Sequence, residues 1–245
     1  MRFLPAWKYQ LAGIKWPLIV YYIVIAALLV LFGISLSIAQ QQNTRMSVGG
    51  LEMASMIFLF VVGLNSYRPV FFMMSANSVS RKTMFVSFLA MLGVVAAGMA
   101  VIDTLYGAAM KMAGNYQTMF EQIYNLETGA PVLVAGGLEW RLCSYLAAGM
   151  VGYLITSLYY RMNKAVKLLV SIGVPVLVLF IWPAVDFSLW NGATTKAIGW
   201  LIAWASGFSS GNPYIGVISD IVLTVLLGGL SYLALRRAPV KTKTS

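Results

Sequence analysis

Six stretches of this chain are apolar over about the 20 residues that an α-helix needs to cross a hydrocarbon core. They are Pro17–Ile38, Val48–Tyr67, Met84–Leu105, Leu142–Tyr160, Leu168–Val185 and Ile215–Leu235. In lipid every backbone donor and acceptor must be satisfied within the protein, and apolar runs of this length do so as helices. The expected fold is therefore an all-α polytopic membrane protein, with residues 1–245 forming one transmembrane domain. Composition agrees, at 60% hydrophobic and only 10% charged. A soluble domain carries about a quarter charged residues, and a disordered chain could not be so apolar. The second span is the least clean, because its strongest run, Met53–Leu64, is short and leaves Glu52 or Asn65 inside the ends. The fifth carries Pro175 and Pro183, which predict a kink or a break.

Charge tests the count. With both termini in the cytoplasm, the inner segments hold Arg2, Lys8, Lys15, Arg68, Arg81, Lys82, Arg161, Lys164, Lys167, Arg236, Arg237, Lys241 and Lys243, and no acid. The outer segments hold Arg45, Lys111, Arg141 and Lys196 with all seven acids: Glu52, Asp103, Glu121, Glu127, Glu139, Asp186 and Asp220. Shifting any boundary by one span scrambles this separation, so the positive-inside rule supports both the six spans and the orientation. The net charge of +10 is then a topology signal and no nucleic-acid footprint. Ser37-Ile38-Ala39 resembles a signal-peptide cleavage site. The apolar run before it, however, exceeds the ~7–15 residues of a signal core. Span one is therefore expected to be a permanent helix.

Between the spans, Met1–Trp16 places Phe3, Leu4, Trp7, Leu11 and Ile14 on one helical face, with Lys8 and Lys15 elsewhere. That spacing predicts an amphipathic helix on the inner leaflet; the alternative is a basic, aromatic flank of span one. Arg161–Lys167 reads as a tight turn. Arg68–Thr83 is longer, with an apolar cluster (Val70, Phe71, Phe72, Met73, Met74), a stretch rich in helix-capping residues, and then Arg81 and Lys82. It predicts a short interfacial helix offering an apolar knob to a soluble partner, or else a basic linker that touches only headgroups. In the loop Tyr106–Arg141, Met119, Ile123 and Leu126 can line a short helix between Gly114 and Gly129. The run Ala197–Ala205, with Trp200 and Trp204 on one side, is too short to span. Bounded by Gly192 and by Gly207, Gly211 and Pro213, it predicts a re-entrant or interfacial helix before span six.

Much chemistry is missing. The chain has no histidine, which removes His-based triads, proton relays and HExxH metalloproteases. Its one cysteine, Cys143, allows neither an intrachain disulfide nor a Cys-cluster metal site. The span midpoints fall near Ala27, Phe58, Val94, Val151, Leu177 and Val225, with no charge beside them. Glu52, Asp103 and Asp220 lie within a turn or two of the outer ends, where they can cap helices, pair with Arg45 or Arg141, or face an outer vestibule. This pattern argues against ion-coupled transport and intramembrane hydrolysis, so no enzyme and no bound cofactor are expected. No GxxxxGK[ST] is present, so any work done must draw its energy from another subunit. Small residues, Gly93 and Ala97 in span three, Ala148 and Gly152 in span four, and Gly228 and Gly229 in span six, are expected at close helix contacts within the subunit.

The run Asn77-Ser78-Val79-Ser80-Arg81-Lys82-Thr83-Met84-Phe85 resembles the loop between the second and third spans of bacterial ABC-transporter permeases of the type-two, exporter-like superfamily. Those proteins often carry Asn-Gly-(Val/Ile)-Ser-Arg-Lys there; Ser78 stands where the glycine usually is. The amino-terminal amphipathic helix, the six spans and the re-entrant segment resemble that architecture over most of the chain.

The resemblance implies a permease subunit, not itself an ATPase, in a bacterial plasma membrane. It would pair with a second copy as a homodimer and with two ATPase subunits that bind ATP and Mg. The loop would be a coupling helix docked on the ATPase through Phe71, Phe72, Met74, Asn77, Ser78, Arg81 and Lys82. Spans one, two and five would line the path, making Tyr21, Tyr22, Ser55, Met56, Phe60, Asn65 and Leu177 its candidate walls. Apolar, aromatic and methionine-rich walls suit amphipathic peptides or other hydrophobic cargo, as in exporters of phenol-soluble-modulin-like toxins and bacteriocin-immunity systems. The alternative is a non-transporting membrane module: an immunity, sensor or scaffold protein that binds a hydrophobic peptide.

Overall fold

A computed structural model describes residues 3–41, 48–113, 116–124, 132–236 and 238. Arg2, Arg45, Glu127, Arg237, Lys241 and Lys243 of the charge alternation, and Gly114, Leu126 and Gly129 of the expected loop helix, lie outside the described residues. The chain is all-α, with six helices long and apolar enough to cross a membrane, one at each place that hydropathy marks. In chain order the elements are α1 (Phe3–Gln41), α2 (Leu51–Ser66), α3 (Arg68–Ala76), α4 (Arg81–Ala113), α5 (Met119–Tyr124), α6 (Val132–Arg161), α7 (Lys164–Val176), α8 (Trp182–Trp190), α9 (Ala193–Ala205) and α10 (Pro213–Arg236). A two-residue parallel bridge, β1 (Val48–Gly49) to β2 (Tyr116–Gln117), ties the start of α2 to the segment after α4.

Cross-helix contacts reveal the relative directions. Gln10 and Tyr22 of α1 meet Ser87 and Asp103 of α4, so these two helices run parallel. Glu52 and Leu64 of α2 meet Arg141 and Thr156 of α6, again parallel. Ser144 of α6 meets Asp220 of α10, and Met150 of α6 lies against Gly228, a third parallel pair. Ser55 to Asp103 makes α2 and α4 antiparallel. The bundle thus has a basic end, with Arg68, Arg81, Arg161 and Arg236, and an acidic end, with Glu52, Asp103, Glu121 and Asp220. Alternation of six spans requires this arrangement of directions.

Helix α6 packs against α2, α4 and α10. Its seam with α2 is a backbone contact. A Cβ added at Gly152 would stand 2.1 Å from the Phe60 carbonyl oxygen, and one at Gly63 would stand 2.1 Å from that of Gly149. Helices associate in lipid through this kind of close approach. Gly152 therefore meets the sequence expectation, and Gly228 packs on Met150 and Phe85. Among the described residues, nothing lies within 4 Å of a Cβ added at Gly93 or Gly229, so these two glycines make no close contact there. Around the seam lies a core of Leu59, Phe88, Met91, Leu92, Met99, Tyr145 and Met150.

Two expectations change. The predicted amino-terminal helix and span one form one uninterrupted helix, α1, which runs through Pro17. Pro17 removes a single backbone hydrogen bond, and the turns on either side hold the helix across it. The buried stripe of its first third is Ala6, Gln10 and Ile14, flanked by Trp7 and Leu11, while Phe3 and Leu4 stay exposed. Gln10 decides this rotation by donating to Ser87 Oγ at 2.8 Å. Span five does not break at its prolines either. α7 continues through a π-helical turn, Leu177–Ile181, into α8, and the Trp182 N–H closes on the Leu177 carbonyl. Pro175 and Pro183 bracket that wider turn.

Span five otherwise stands beside the bundle. No residue of α7, the π turn or α9 is buried, so their apolar faces are left for lipid or another chain. Between α8 and α9 the chain reverses at Asn191 (φ 49°) and Gly192 (φ 75°), both left-handed. Asp186 clamps the reversal: its carboxylate accepts the N–H groups of Thr194 and Thr195 and both threonine hydroxyls. A carboxylate at a helix amino terminus also opposes the helix dipole favourably. Gly207 and Gly211, both at positive φ, bound the turn from α9 to α10, as their placement in the sequence predicts.

Candidate functional site

At the basic end, α2 passes through Tyr67 into α3, whose start carries Pro69 in the first turn, where the missing N–H is harmless. The polar run after α3 is a turn built from two helix caps. Val79 N–H donates to the Met74 carbonyl at 3.0 Å, and Ser78 N–H donates to that of Ser75 at 3.2 Å. These are the paired bonds of a Schellman termination, with Ser78 in the left-handed position at φ 55°. One residue later Ser80 caps α4, its hydroxyl accepting the Thr83 N–H at 3.2 Å. A glycine fits the Ser78 position without strain. Ser78→Gly is expected to stabilise the protein by about 1 kcal/mol, and Ser78→Val to destabilise it by at least as much. Thermal unfolding of the detergent-solubilised chain measures both.

The turn sorts the seven coupling candidates. Phe71 and Met74 are buried, with Phe71 stacked on Tyr67 at 5.7 Å and set against Tyr160 at 5.2 Å. Phe72 is 38% exposed and Met73 lies open beside it. Asn77, Ser78 and Lys82 are exposed. Arg81 turns back on the bundle, donating to the carbonyls of Leu235 (3.4 Å) and Arg236 (2.5 Å) at the carboxyl end of α10. A cation there satisfies orphan carbonyls and opposes the helix dipole. Phe71, Met74 and Arg81 thus place the helix, while Phe72, Met73 and Lys82 are presented outward. A groove of about 400 Å³ beside them is lined by Pro5, Ala6, Tyr9, Met73, Met74, Asn77 and Val79.

At the acidic end the path candidates divide. Tyr21, Tyr22 and Ser55 converge on Asp103, which is fully buried. Ser55 Oγ donates to Asp103 Oδ2 at 2.6 Å, Tyr22 donates to Oδ1 at 3.2 Å, and Tyr145 of α6 also donates to Oδ2. Tyr21 lies 2.7 Å from Ser55 Oγ and stacks on Phe58. Met56 and Phe60 are half-buried on α2. Asn65 is exposed near the other end and donates to the Val61 carbonyl, and Leu177 is exposed in the π turn of span five. Of the seven, Tyr21, Tyr22 and Ser55 meet in one hydrogen-bonded cluster.

Of the three acids singled out from sequence, Glu52 pairs with Arg141 at 3.0 Å, both side chains almost completely buried. Arg141 also donates to Thr104 Oγ1, and Glu52 accepts the Met119 N–H at 3.3 Å. Asp220 accepts from Ser144. Asp103 neither caps a helix nor joins an ion pair among the described residues; hydroxyls hold it. The loop helix exists as α5, with Thr118 and Glu121 forming a reciprocal capping box that the pattern T-x-x-E would have signalled. Glu121 also pairs with Lys111. Burial pushes the nearby Tyr116 hydroxyl well above the usual phenol range, so it stays protonated. Among the described residues, no three Cys, Asp or Glu side chains gather as a metal set. Comparison with protein-family models, curated proteins and solved structures finds no match to this chain.

Proposed function

We propose that this chain is the permease subunit of an ATP-driven exporter in a bacterial plasma membrane, with both termini cytoplasmic. A partner ATPase would drive alternating access, and amphipathic peptides or other hydrophobic compounds would be the cargo. The observation that carries the reading is the doubly capped turn Asn77–Thr83 at the end of α3, a helix that continues α2 and carries Phe72 and Met73 on its surface, with Lys82 exposed just beyond the turn. In this reading α3 is the coupling helix. An exposed aromatic with a flanking cation suits a groove with acidic rims. In the same reading α9 would dip into the outer leaflet. The open apolar faces of span five favour a second copy of the chain as its neighbour.

Two experiments test this. Purification of the tagged chain in mild detergent, followed by mass spectrometry, should retain a stoichiometric P-loop ATPase; recovery of the chain alone would favour a peptide-sequestering module. With the ATPase in hand, Phe72→Asp is expected to abolish cargo-stimulated hydrolysis while leaving membrane insertion unchanged. The side chain is 38% exposed with its ring against Phe71 and Tyr160, so the insertion readout is what separates lost coupling from lost packing. Unaltered stimulation in that variant would count against α3 as the coupling element.

A further inference from the structure

The acidic end contains a buried carboxylate that export by an ATPase does not require. Asp103 is fully buried in α4, and the ion pairs near it occupy Glu52 with Arg141 and Glu121 with Lys111, leaving Asp103 without a cation among the described residues. Its neighbours are hydroxyls from three other helices: Tyr22 of α1, Ser55 of α2 and Tyr145 of α6. The other titratable or charged groups facing it are Tyr21 of α1, Glu52 of α2, Tyr106 of α4 and Tyr116 of β2; Arg141 of α6 is held by Glu52. The hydroxyl of Tyr106 is buried and has no hydrogen-bond partner among the described residues. An ionisable group enclosed in a membrane bundle without a counter-ion marks a site of function by default.

The hydrogen-bond chain gives this carboxylate two arrangements of donors. As an anion it accepts three O–H donors, and Tyr21 then donates to Ser55. With a proton from water on Oδ2, the new O–H donates to Ser55 Oγ, and Ser55 turns its hydrogen toward Tyr21, for either atom of that pair can donate; the Tyr21 hydroxyl then gives up Ser55 as its acceptor. The proton remains a single transferred H⁺, and only the hydroxyl orientations change. What does change is the tie on α1. Tyr21 and Tyr22 fasten this half of α1 to the cluster, and hydrogen bonds to a charged acceptor are roughly twice as strong as those to a neutral one.

We propose that Asp103 is a reversible proton-binding site, loaded from the acidic end of the bundle, whose proton loosens the attachment of α1 to α2 and α4. The test uses the full chain in detergent or nanodiscs and needs no ATPase, so its failure is separate from failure of the exporter reading. Infrared difference spectra across a pH titration should show a protonated-carboxyl stretch that Asp103→Asn removes. Over the same titration, hydrogen exchange in residues 17–35, corrected for intrinsic pH dependence, should rise about tenfold on acidification, the change expected from losing one charge-assisted bond. Should Asp103→Asn fail to fold, Tyr22→Phe serves instead. It keeps the carboxyl band but should show raised α1 exchange already at neutral pH and a smaller response to acid. A carboxyl band that persists in Asp103→Asn, or α1 exchange indifferent to pH, or a Tyr22→Phe response equal to that of the native chain, would overturn the proposal.

Discussion

Gly152→Ala is expected to abolish recovery of a monodisperse, folded chain, although it adds a single methyl group. The new Cβ would stand 2.1 Å from the Phe60 carbonyl oxygen and 3.0 Å from the Leu64 nitrogen, both backbone atoms that no rotamer change can move aside. Overpacking a core by a methylene costs about 1–3 kcal/mol where side chains can yield. Here two helices must separate, and separation also lengthens the 2.7 Å bond from Thr156 Oγ1 to the Leu64 carbonyl. Gly63→Ala meets the Gly149 carbonyl oxygen in the same way and is expected to behave identically. The control is Gly93→Ala, whose added carbon finds open space; helix propensity should make it neutral or slightly stabilising. Size-exclusion profiles and thermal midpoints of the three variants check this. Equal behaviour of Gly152→Ala and Gly93→Ala would disprove the backbone seam.

The second large effect concerns the buried pair at the acidic end. Glu52→Ala leaves the Arg141 guanidinium uncompensated with its side chain only 4% exposed, and it also strips the Met119 N–H of its acceptor. Breaking a buried pair from one side costs about 3–5 kcal/mol, whereas replacing both partners by apolar residues of similar size is often neutral. The double variant Glu52→Leu/Arg141→Met should therefore regain most of the stability lost by Glu52→Ala. Failure of the double variant to recover would mean that the contacts of Arg141 with Thr104 and of Glu52 with Met119, rather than the charge pair, hold α2, α4 and α6 together here.

The sites differ in how far sequence reaches them. The turn Asn77–Thr83 is a local object: the caps lie within a few residues of the groups they satisfy, so a short run of Asn, Ser and Thr announces it. The same holds for the box between Thr118 and Glu121, which reading the loop by its apolar spacing alone overlooked. Arg81 is different. As part of a basic pair after an apolar cluster it reads as an outward contact, yet its acceptors are carbonyls more than 150 residues away at the end of α10. The Asp103 cluster is equally remote from sequence logic, because Tyr22, Ser55 and Tyr145 are ordinary polar positions in three separate spans.

Six spans, their alternation and the helix before span six were legible in the sequence because each depends on the hydropathy, glycine and charge of residues close together along the chain. Lipid enforces the rest locally, since a segment that long and apolar has no other way to satisfy its backbone. Only the tertiary structure decided which helices touch, that α6 meets α2 backbone to backbone through Gly63 and Gly152, and that span five stands beside the bundle. The physical reason is that lipid and a helix neighbour are almost equally apolar. Hydropathy therefore tells a residue that it is in the membrane without telling it which side faces protein. Shape and hydrogen bonds between distant residues make that choice, and they exist only once the helices are assembled.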